Sequence, residues 1–306
     1  MTSYMRYLSF VAPGEQRTRL GALIAEDRVV SLARGDMPTD MLSLIKAGPE
    51  VWEEAEAIAR STQSVWPLDQ ARVTAPLKNP PTLRDFYAFE THVKTANQNR
   101  GRDVPEEWYE FPVFYFTNPH TIQGPGEDVA MPSFTQALDY ELEVAAIIGQ
   151  PGRDIAADQA LEHIFGFTIM NDWSARDVQR KEMKVGLGPA KGKDFATSLG
   201  PYIVTPDELG KRVTARPGVY NAAMVARVNG EERSRGNWSD IYYSFGELVA
   251  RASEGVELLA GDVIGSGTVG TGCLLEITKG EGPWLKSGDV VELEIEGIGT
   301  LHNRVG

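Results

Sequence analysis

Glu141 and Glu143 stand two residues apart in Leu138-Asp-Tyr-Glu-Leu-Glu-Val-Ala-Ala-Ile-Ile148, a run that reads as one strand, alternating at first and apolar later. Residues i and i+2 of a strand project to one face, so the two carboxylates sit about 7 Å apart and could converge on a single divalent ion. Asp172 closes a second apolar run, Gly166-Phe-Thr-Ile-Met-Asn-Asp172, where a charge has little reason to be unless it lines a cavity. Three carboxylates with no Cys or His pair nearby select a hard ion, Mg²⁺, Mn²⁺ or Ca²⁺, over Zn²⁺. A plainer reading competes and, taken alone, is the stronger. Glu-x-Glu is common on exposed strand faces, and Glu292 and Glu294 repeat the spacing near the C-terminus.

Other chemistry-bearing residues divide into decoys and candidates. Lys193 lies in Gly188-Pro-Ala-Lys-Gly-Lys-Asp-Phe195, which imitates a phosphate loop with glycine spacing one residue short and Asp194 where a hydroxyl should bind Mg²⁺. What remains is a lysine in a Gly-rich turn, either a surface charge or a fixed cation for an oxyanion. Gly265-Ser-Gly-Thr-Val-Gly270 fits the dinucleotide fingerprint as a string, but no amphipathic helix follows, and Cys273-Leu-Leu-Glu-Ile277 reads as a strand. The better reading is a tight turn whose backbone and Thr268 hydroxyl approach a ligand closely. Of the four histidines, His163 reads as a packing residue and His302 falls in a strand. His92 lies in a polar stretch, as a solvated loop residue or as a general base on a mobile loop. Cys273, the single cysteine, reads as a small buried hydrophobe.

The elements that must carry these residues are mostly strands. Residues from Tyr4 to about Val73 read as a small α/β unit, with two strands around a turn at Glu26-Asp27. Thr39 or Asp40 caps a short helix that Gly48 ends, and Pro49 opens a second helix to Arg60. Lys78-Asn79-Pro80-Pro81 is the best linker. Beyond it, Asp158 to Phe165 and Ser174 to Met183 read as helices, and Asn229-Gly230 marks a hairpin. Ser244 with Glu247 forms a capping box for a helix to Ala252. Val291, Leu293 and Ile295 alternate with glutamates as a half-buried strand. Many strands and few helices predict a β-rich fold, sandwich or barrel, rather than a doubly wound sheet.

The chain has 306 residues, 42% hydrophobic and 24% charged, enough for a sizeable core. The length predicts one or two domains. No apolar run approaches the roughly 20 residues needed to cross a bilayer, and the N-terminus lacks a signal-peptide core, so a cytoplasmic location is expected. The net charge of -13 disfavours nucleic-acid and anionic-membrane partners. It leaves a small-molecule substrate open.

Six blocks in order carry a resemblance: Asp85-Phe-Tyr, Asp139-Tyr-Glu-Leu-Glu143, Met170-Asn-Asp-Trp-Ser-Ala-Arg-Asp-Val-Gln179, Gly192-Lys-Asp-Phe195, Gly261-Asp-Val-Ile-Gly-Ser-Gly-Thr268 and Ser287-Gly-Asp-Val-Val-Glu. Over most of Arg84 to Val305 the chain resembles the fumarylacetoacetate hydrolase family. The resemblance implies an α+β, β-rich chain: a mixed β-roll catalytic domain over 79–306, after a small N-terminal α/β domain over 1–78. It also implies a homodimer and a divalent ion, Mg²⁺ first and Mn²⁺ or Ca²⁺ next. By position, Glu141, Glu143 and Asp172 match the family's metal carboxylates, and Asp85 matches a further acidic ligand. His92 matches the general base, Glu276 its partner, with Glu106 and Glu107 as lid alternatives, and Lys193 the active-site lysine. Tyr87, Tyr115, Gln179 and Thr268 match substrate contacts, together with an arginine, Arg102 or Arg100. The implied activity is hydrolysis of a C–C bond in a 2,4-dioxo acid, fumarylacetoacetate or acylpyruvate-like, through an enolate held at the metal. Hydratase, decarboxylase or keto–enol tautomerase chemistry on a 2-oxo acid is the alternative. A non-catalytic, metal-stabilised binding protein is the alternative of another class.

Overall fold

The computed structural model describes residues 5–62, 64–99 and 101–306. Tyr4 and Arg100, which figured in the reading above, lie outside them. Among the described residues, the largest sheet runs Val65–Pro67, Arg28–Ser31, Thr18–Ala25, Arg6–Val11, Thr197–Val204, Ile164–Asp172, Leu142–Ile148, Val263–Gly265, Leu83–Phe86, Phe114–Thr117. Most neighbours are antiparallel, while Val263–Gly265 pairs with Leu83–Phe86 in parallel, so the sheet is mixed and open rather than a closed barrel. A second sheet runs Glu231–Asn237, Ala223–Val228, Val290–Ile295, Gly299–Val305, Asp128–Val129.

The central strands Leu142–Ile148 and Ile164–Asp172 are buried at every position, as expected of strands covered on both faces. On one side Phe167 meets Tyr220, Trp238 and Phe245 at ring-centroid distances of 5.5, 4.9 and 5.2 Å, an aromatic cluster carried by segments outside the two sheets. On the other side Phe165 stacks on Tyr7 at 5.2 Å and meets Trp52 at 5.0 Å. Trp52 belongs to the helix Pro49–Ser61. The helix Met41–Ala47 adds Met41, Leu44 and Ile45 to that cluster.

Several local expectations hold. Asp40 accepts a hydrogen bond from Ser43 N at the start of Met41–Ala47, and Gly48 follows its end at φ 87°. Both halves of the Ser244/Glu247 capping box form ahead of Phe245–Ser253. Asn229 and Gly230 take positive φ between paired strands. Val291, Leu293 and Ile295 face inward.

Other elements differ. Asp158 to Phe165 is not one helix: a short 3-10 turn, Ala160–His163, gives way to the strand at Ile164. A β-branched residue followed by two phenylalanines at 164–167 favours the sheet. The helix after Asp172 spans Arg176–Val185, following a two-residue strand, Ser174–Ala175. Leu138–Ile148 is broken, with Leu138–Asp139 and Leu142–Ile148 separated at Tyr140 and Glu141. Leu138–Asp139 pairs with Ser174–Ala175 instead of staying in the large sheet.

Two glycines shape the end of the sheet. A Cβ at Gly265 would sit 2.6 Å from Asp85 Oδ1 and 3.3 Å from Glu143 Oε2. Gly267 has φ 78°, and a Cβ there would lie 2.4 Å from the Phe86 carbonyl oxygen. Its N–H donates to Asp85 Oδ1 at 3.1 Å. Gly267→Ala should therefore lose about 1–3 kcal/mol of stability from the backbone conformation alone. Equilibrium denaturation of the two proteins measures the loss, and equal midpoints would refute the close approach.

Candidate active site

Register explains how distant acids meet. Glu143 lies opposite Met170 on the adjacent strand, two positions from its end at Asp172. On the other flank, Gly265 pairs with Ala145 and also with Asp85, and Asp85 in turn faces Tyr115. Gly265, having no side chain, leaves the gap between the strands open for carboxylates. Glu141 enters from the break in its strand, where its N–H donates to the Asn171 side chain at 2.9 Å. Carboxylate oxygens of Asp85, Glu141, Glu143 and Asp172 lie within 4.8 Å of one another, and all four residues are buried.

Two cations face this cluster. Lys193 Nζ donates to Glu141 Oε2 at 2.5 Å and to Asp172 Oδ2 at 2.6 Å. Arg176 Nη2 lies 2.8 Å from Glu141 Oε1, off the direction of an ideal hydrogen bond. The Tyr115 hydroxyl donates to Asp172 Oδ2. Protonation follows these contacts. Burial opposes ionisation of Glu141, but Lys193 and then Arg176 outweigh it and hold its carboxyl below the usual range. Burial, then the Asp172 carboxylate, push Asp85 up to about 8. Burial and the neighbouring carboxylates of Asp85, Glu141 and Asp172 raise Glu143 well above its ordinary value. Asp172 is also raised, because burial exceeds the pull of Lys193.

Neither Glu143 oxygen accepts a hydrogen bond from a conventional donor, and Asp172 Oδ1 has none either. Only a proton shared with Asp85 would give Glu143 a partner. Unpartnered buried carboxylate oxygens cost several kcal/mol, a cost that an oxygen-seeking divalent ion would remove. The all-oxygen donor set fits Mg²⁺, Mn²⁺ or Ca²⁺.

His92 is not on a loop. It is buried on the helix Glu90–Gln98, beside Val93 and Ala96, which pull that face inward. Nor is Cys273 to Ile277 a strand: Leu274–Ile277 forms a four-residue helix. The buried Asp139 carboxylate explains that turn. It accepts from Leu274 N at 2.8 Å and Leu275 N at 3.0 Å, the orphan donors of a helix start. The same carboxylate holds Arg176 Nε at 2.8 Å. The helix so fixed carries Glu276, whose Oε1 lies 2.8 Å from His92 Nδ1, again off the ideal direction.

A cavity of about 310 Å³ opens over these groups. Asp85, Glu141, Glu143, Lys193, His92, Tyr87, Tyr115, Gln179 and Thr268 line it; Met183, Leu187 and Pro189 line it too. Asp172 lies beneath, fully buried, and Glu276 stands behind His92. Arg102 is exposed and outside the lining, as are Glu106 and Glu107. Arg100 lies outside the described residues. Sequence reasoning passed over Arg176 and Asp139, although both stood in the quoted blocks. Their buried charge was the missing signal, and burial of a charged residue is visible only once the strands are paired.

The family model described as "Fumarylacetoacetate (FAA) hydrolase C-terminal" matches residues 82–306. The chain belongs to the fumarylacetoacetate hydrolase family. It is 29% identical to the oxaloacetate tautomerase YisK of Bacillus subtilis, over 96% of this chain and 99% of that protein. It is 31% identical to the mitochondrial oxaloacetate tautomerase FAHD2A of Homo sapiens, over 98% of this chain and 91% of that one. The fumarylacetoacetate hydrolase of psychrophilic Exiguobacterium antarcticum superposes with a TM-score of 0.79 at 29% identity, covering 98% and 99% of the two chains. A probable 2-hydroxyhepta-2,4-diene-1,7-dioate isomerase of Mycobacterium abscessus gives 0.76 at 28%, covering 99% and 98%. Both curated relatives are named for tautomerisation, which matches the alternative above better than C–C hydrolysis. Among the described residues no helix is long and apolar enough to cross a membrane.

Two outcomes follow for this family member. Asp139→Ala leaves Arg176 without its buried partner and the Glu276 helix without its cap, so stability should fall by about 3–5 kcal/mol in urea denaturation. A loss below 1 kcal/mol would contradict the cap. The second concerns pH. Asp85 folds with its carboxyl pushed up to about 8, far above its unfolded range. The folded state therefore binds that proton more tightly, and the stability it contributes is present below the unfolded value and lost as pH rises toward the folded one. Chelator-treated protein should melt at a lower temperature near pH 9 than near pH 6, and Mg²⁺ should recover more at the higher pH. Melting curves with and without Mg²⁺ decide this, the reverse order counting against it.

Proposed function

We propose that this chain is a keto–enol tautomerase of a small 2-oxo acid of the oxaloacetate type. One arrangement supports the reading above all: the buried His92–Glu276 pair faces the same cavity as the four-carboxylate cluster. Glu276 Oε1 lies 2.8 Å from His92 Nδ1, so the carboxylate favours the tautomer protonated there and leaves the Nε2 lone pair as the basic position. His92 then takes a proton from the carbon beside the ketone while the enolate oxygen takes one from solvent as the enol leaves, and in the reverse direction the oxygen gives its proton to solvent and His92 returns one to carbon. Lys193 is held fully charged, since Asp172 and Glu141 outweigh the burial that opposes its ammonium. It supplies a fixed positive charge to the oxygen that becomes negative. Asp85, Glu141, Glu143 and Asp172 would hold a divalent ion, Mg²⁺ in our proposal, whose Lewis acidity polarises the oxo acid when bound. Tyr87, Gln179 and Thr268 orient the acid, and Met183 and Leu187 add apolar lining.

The same base could instead activate water for C–C cleavage, and the likeness to the Exiguobacterium enzyme favours that as the second reading. We take the active species as a homodimer on family grounds.

The enol of oxaloacetate absorbs in the ultraviolet, so its decay to the ketone with Mg²⁺ tests the first reading directly. Acceleration of that decay, with no cleavage of an acylpyruvate, is expected. Cleavage without tautomerisation would put the hydrolase first. His92→Asn should lower kcat about 10²- to 10⁴-fold while Mg²⁺ raises the melting temperature as in the parent. An unchanged kcat removes His92 from the chemistry.

A further inference from the structure

The proposed mechanism leaves one buried nucleophilic side chain unused. Cys273 is fully buried, and its thiol lies with a ring nitrogen of His92 and a carboxylate oxygen of Glu276 in a group whose donor atoms are all within 4.8 Å of one another. Burial first, and then the Asp139 charge, raise the thiol well above its ordinary value, so it is protonated in the metal-free protein. Glu276 is buried, and its Oε2 accepts no hydrogen bond. A carboxylate with no conventional hydrogen-bond donor, an imidazole and a thiol thus lie close together, and of the three His92 lines the cavity.

We propose that His92, Cys273 and Glu276 form a second metal site, for a Zn²⁺-like ion, distinct from the all-oxygen cluster. The donor chemistry separates the two. Nitrogen and sulfur ligands suit borderline ions such as Zn²⁺ and Co²⁺ and are poor for Mg²⁺, whereas carboxylates alone favour the hard ions. The charges also balance: thiolate and carboxylate together neutralise one divalent ion, which a buried site requires. Bonds of about 2.0–2.3 Å to a central ion require the donors to close by no more than about 1.5 Å. Three protein ligands leave the fourth tetrahedral position for water from the cavity. On binding, the Cys273 thiol releases its proton to solvent and its sulfur forms the metal bond, while the imidazole proton moves from Nδ1 to Nε2 so that Nδ1 is free to ligate. The imidazole then ligates the ion and no longer serves as a base, so the site switches the enzyme off. That last consequence rests on the tautomerase reading; the site itself does not.

The experiment uses Co²⁺ and Zn²⁺ on the full chain with Mg²⁺ in millimolar excess. Because the chain has one cysteine, a thiolate-to-cobalt charge-transfer band in the near ultraviolet reports Cys273 alone. The band should appear with one equivalent of Co²⁺, with one proton released, and vanish in Cys273→Ser and Cys273→Ala. It should weaken in Glu276→Gln. Absence of the band in the parent overturns the site whether or not either cysteine variant folds. For activity, micromolar Zn²⁺ should inhibit, and added Mg²⁺ should not relieve it. Cys273→Ala should keep turnover within twofold and lose Zn²⁺ sensitivity at least tenfold. Equal inhibition of parent and variant would place Zn²⁺ at the carboxylates and refute the switch. If no oxo acid turns over, the functional reading fails while the cobalt spectrum still decides the site.

Discussion

Four carboxylates from three parts of the chain lie close together in the buried interior, and like charges at such distances repel strongly where water is excluded. The fold carries that repulsion in two ways. Lys193 and Arg176 neutralise part of it, which is why Glu141 is held ionised while Asp85 and Glu143 are pushed toward the protonated form. The remainder stays as unpartnered oxygens on Glu143 and Asp172. A structure selected only for stability would replace such residues with apolar ones, since a well-packed core is usually worth as much or more. Their retention together is understandable as a place kept for an ion, with the rest of the site arranged around that demand.

Position is supplied by the ends of adjacent strands. Strands fully buried on both faces hold their register tightly, because a one-residue slip would exchange every inward and outward side chain. Asp85, Glu143 and Asp172 inherit that rigidity. Gly265 makes room between them, and Gly267 brings a backbone N–H against Asp85. The precision of the acidic cluster therefore belongs to the core, while the mouth of the cavity is looser. Leu187 there is 91% exposed, on the loop after Arg176–Val185.

Much of this was legible in the sequence, for identifiable reasons. Alternation at Val291, Leu293 and Ile295, the capping box at Ser244, and Asn229-Gly230 are local rules, and they held because each needs only neighbours in the chain. Glu141 and Glu143 do meet, though not as two residues of one unbroken strand: the chain leaves the sheet at Tyr140 and Glu141. The spacing led to the right place by way of a geometry that does not exist. His92 and Glu276 were placed by resemblance, whereas their elements were misread. A polar stretch is a helix because Val93 and Ala96 bury one side of it, and a run rich in Leu and Ile is a helix because Asp139, more than a hundred residues away, caps it. Neither influence is local. Arg102 illustrates the converse: a charge in a polar segment carries no mark that distinguishes a ligand contact from a solvated side chain, and here it lies in solvent.

Asp139 ties these observations together. Both oxygens of its carboxylate cap the helix that delivers Glu276 to His92, and Oδ2 also holds Arg176, which in turn reaches Glu141 and the Gln179 side chain at 3.1 Å. The His92–Glu276 side of the site and the carboxylate cluster thus share one buried anchor. Tautomerisation, hydration and C–C hydrolysis all ask for a base at a fixed distance from a polarised carbonyl, and they differ in whether the base meets carbon or water. A common anchor fixes that distance and leaves the distinction to what lines the mouth. The core then sets the positions of these groups, and the exposed apolar segment around Met183 and Leu187 is where the chain can change without disturbing them.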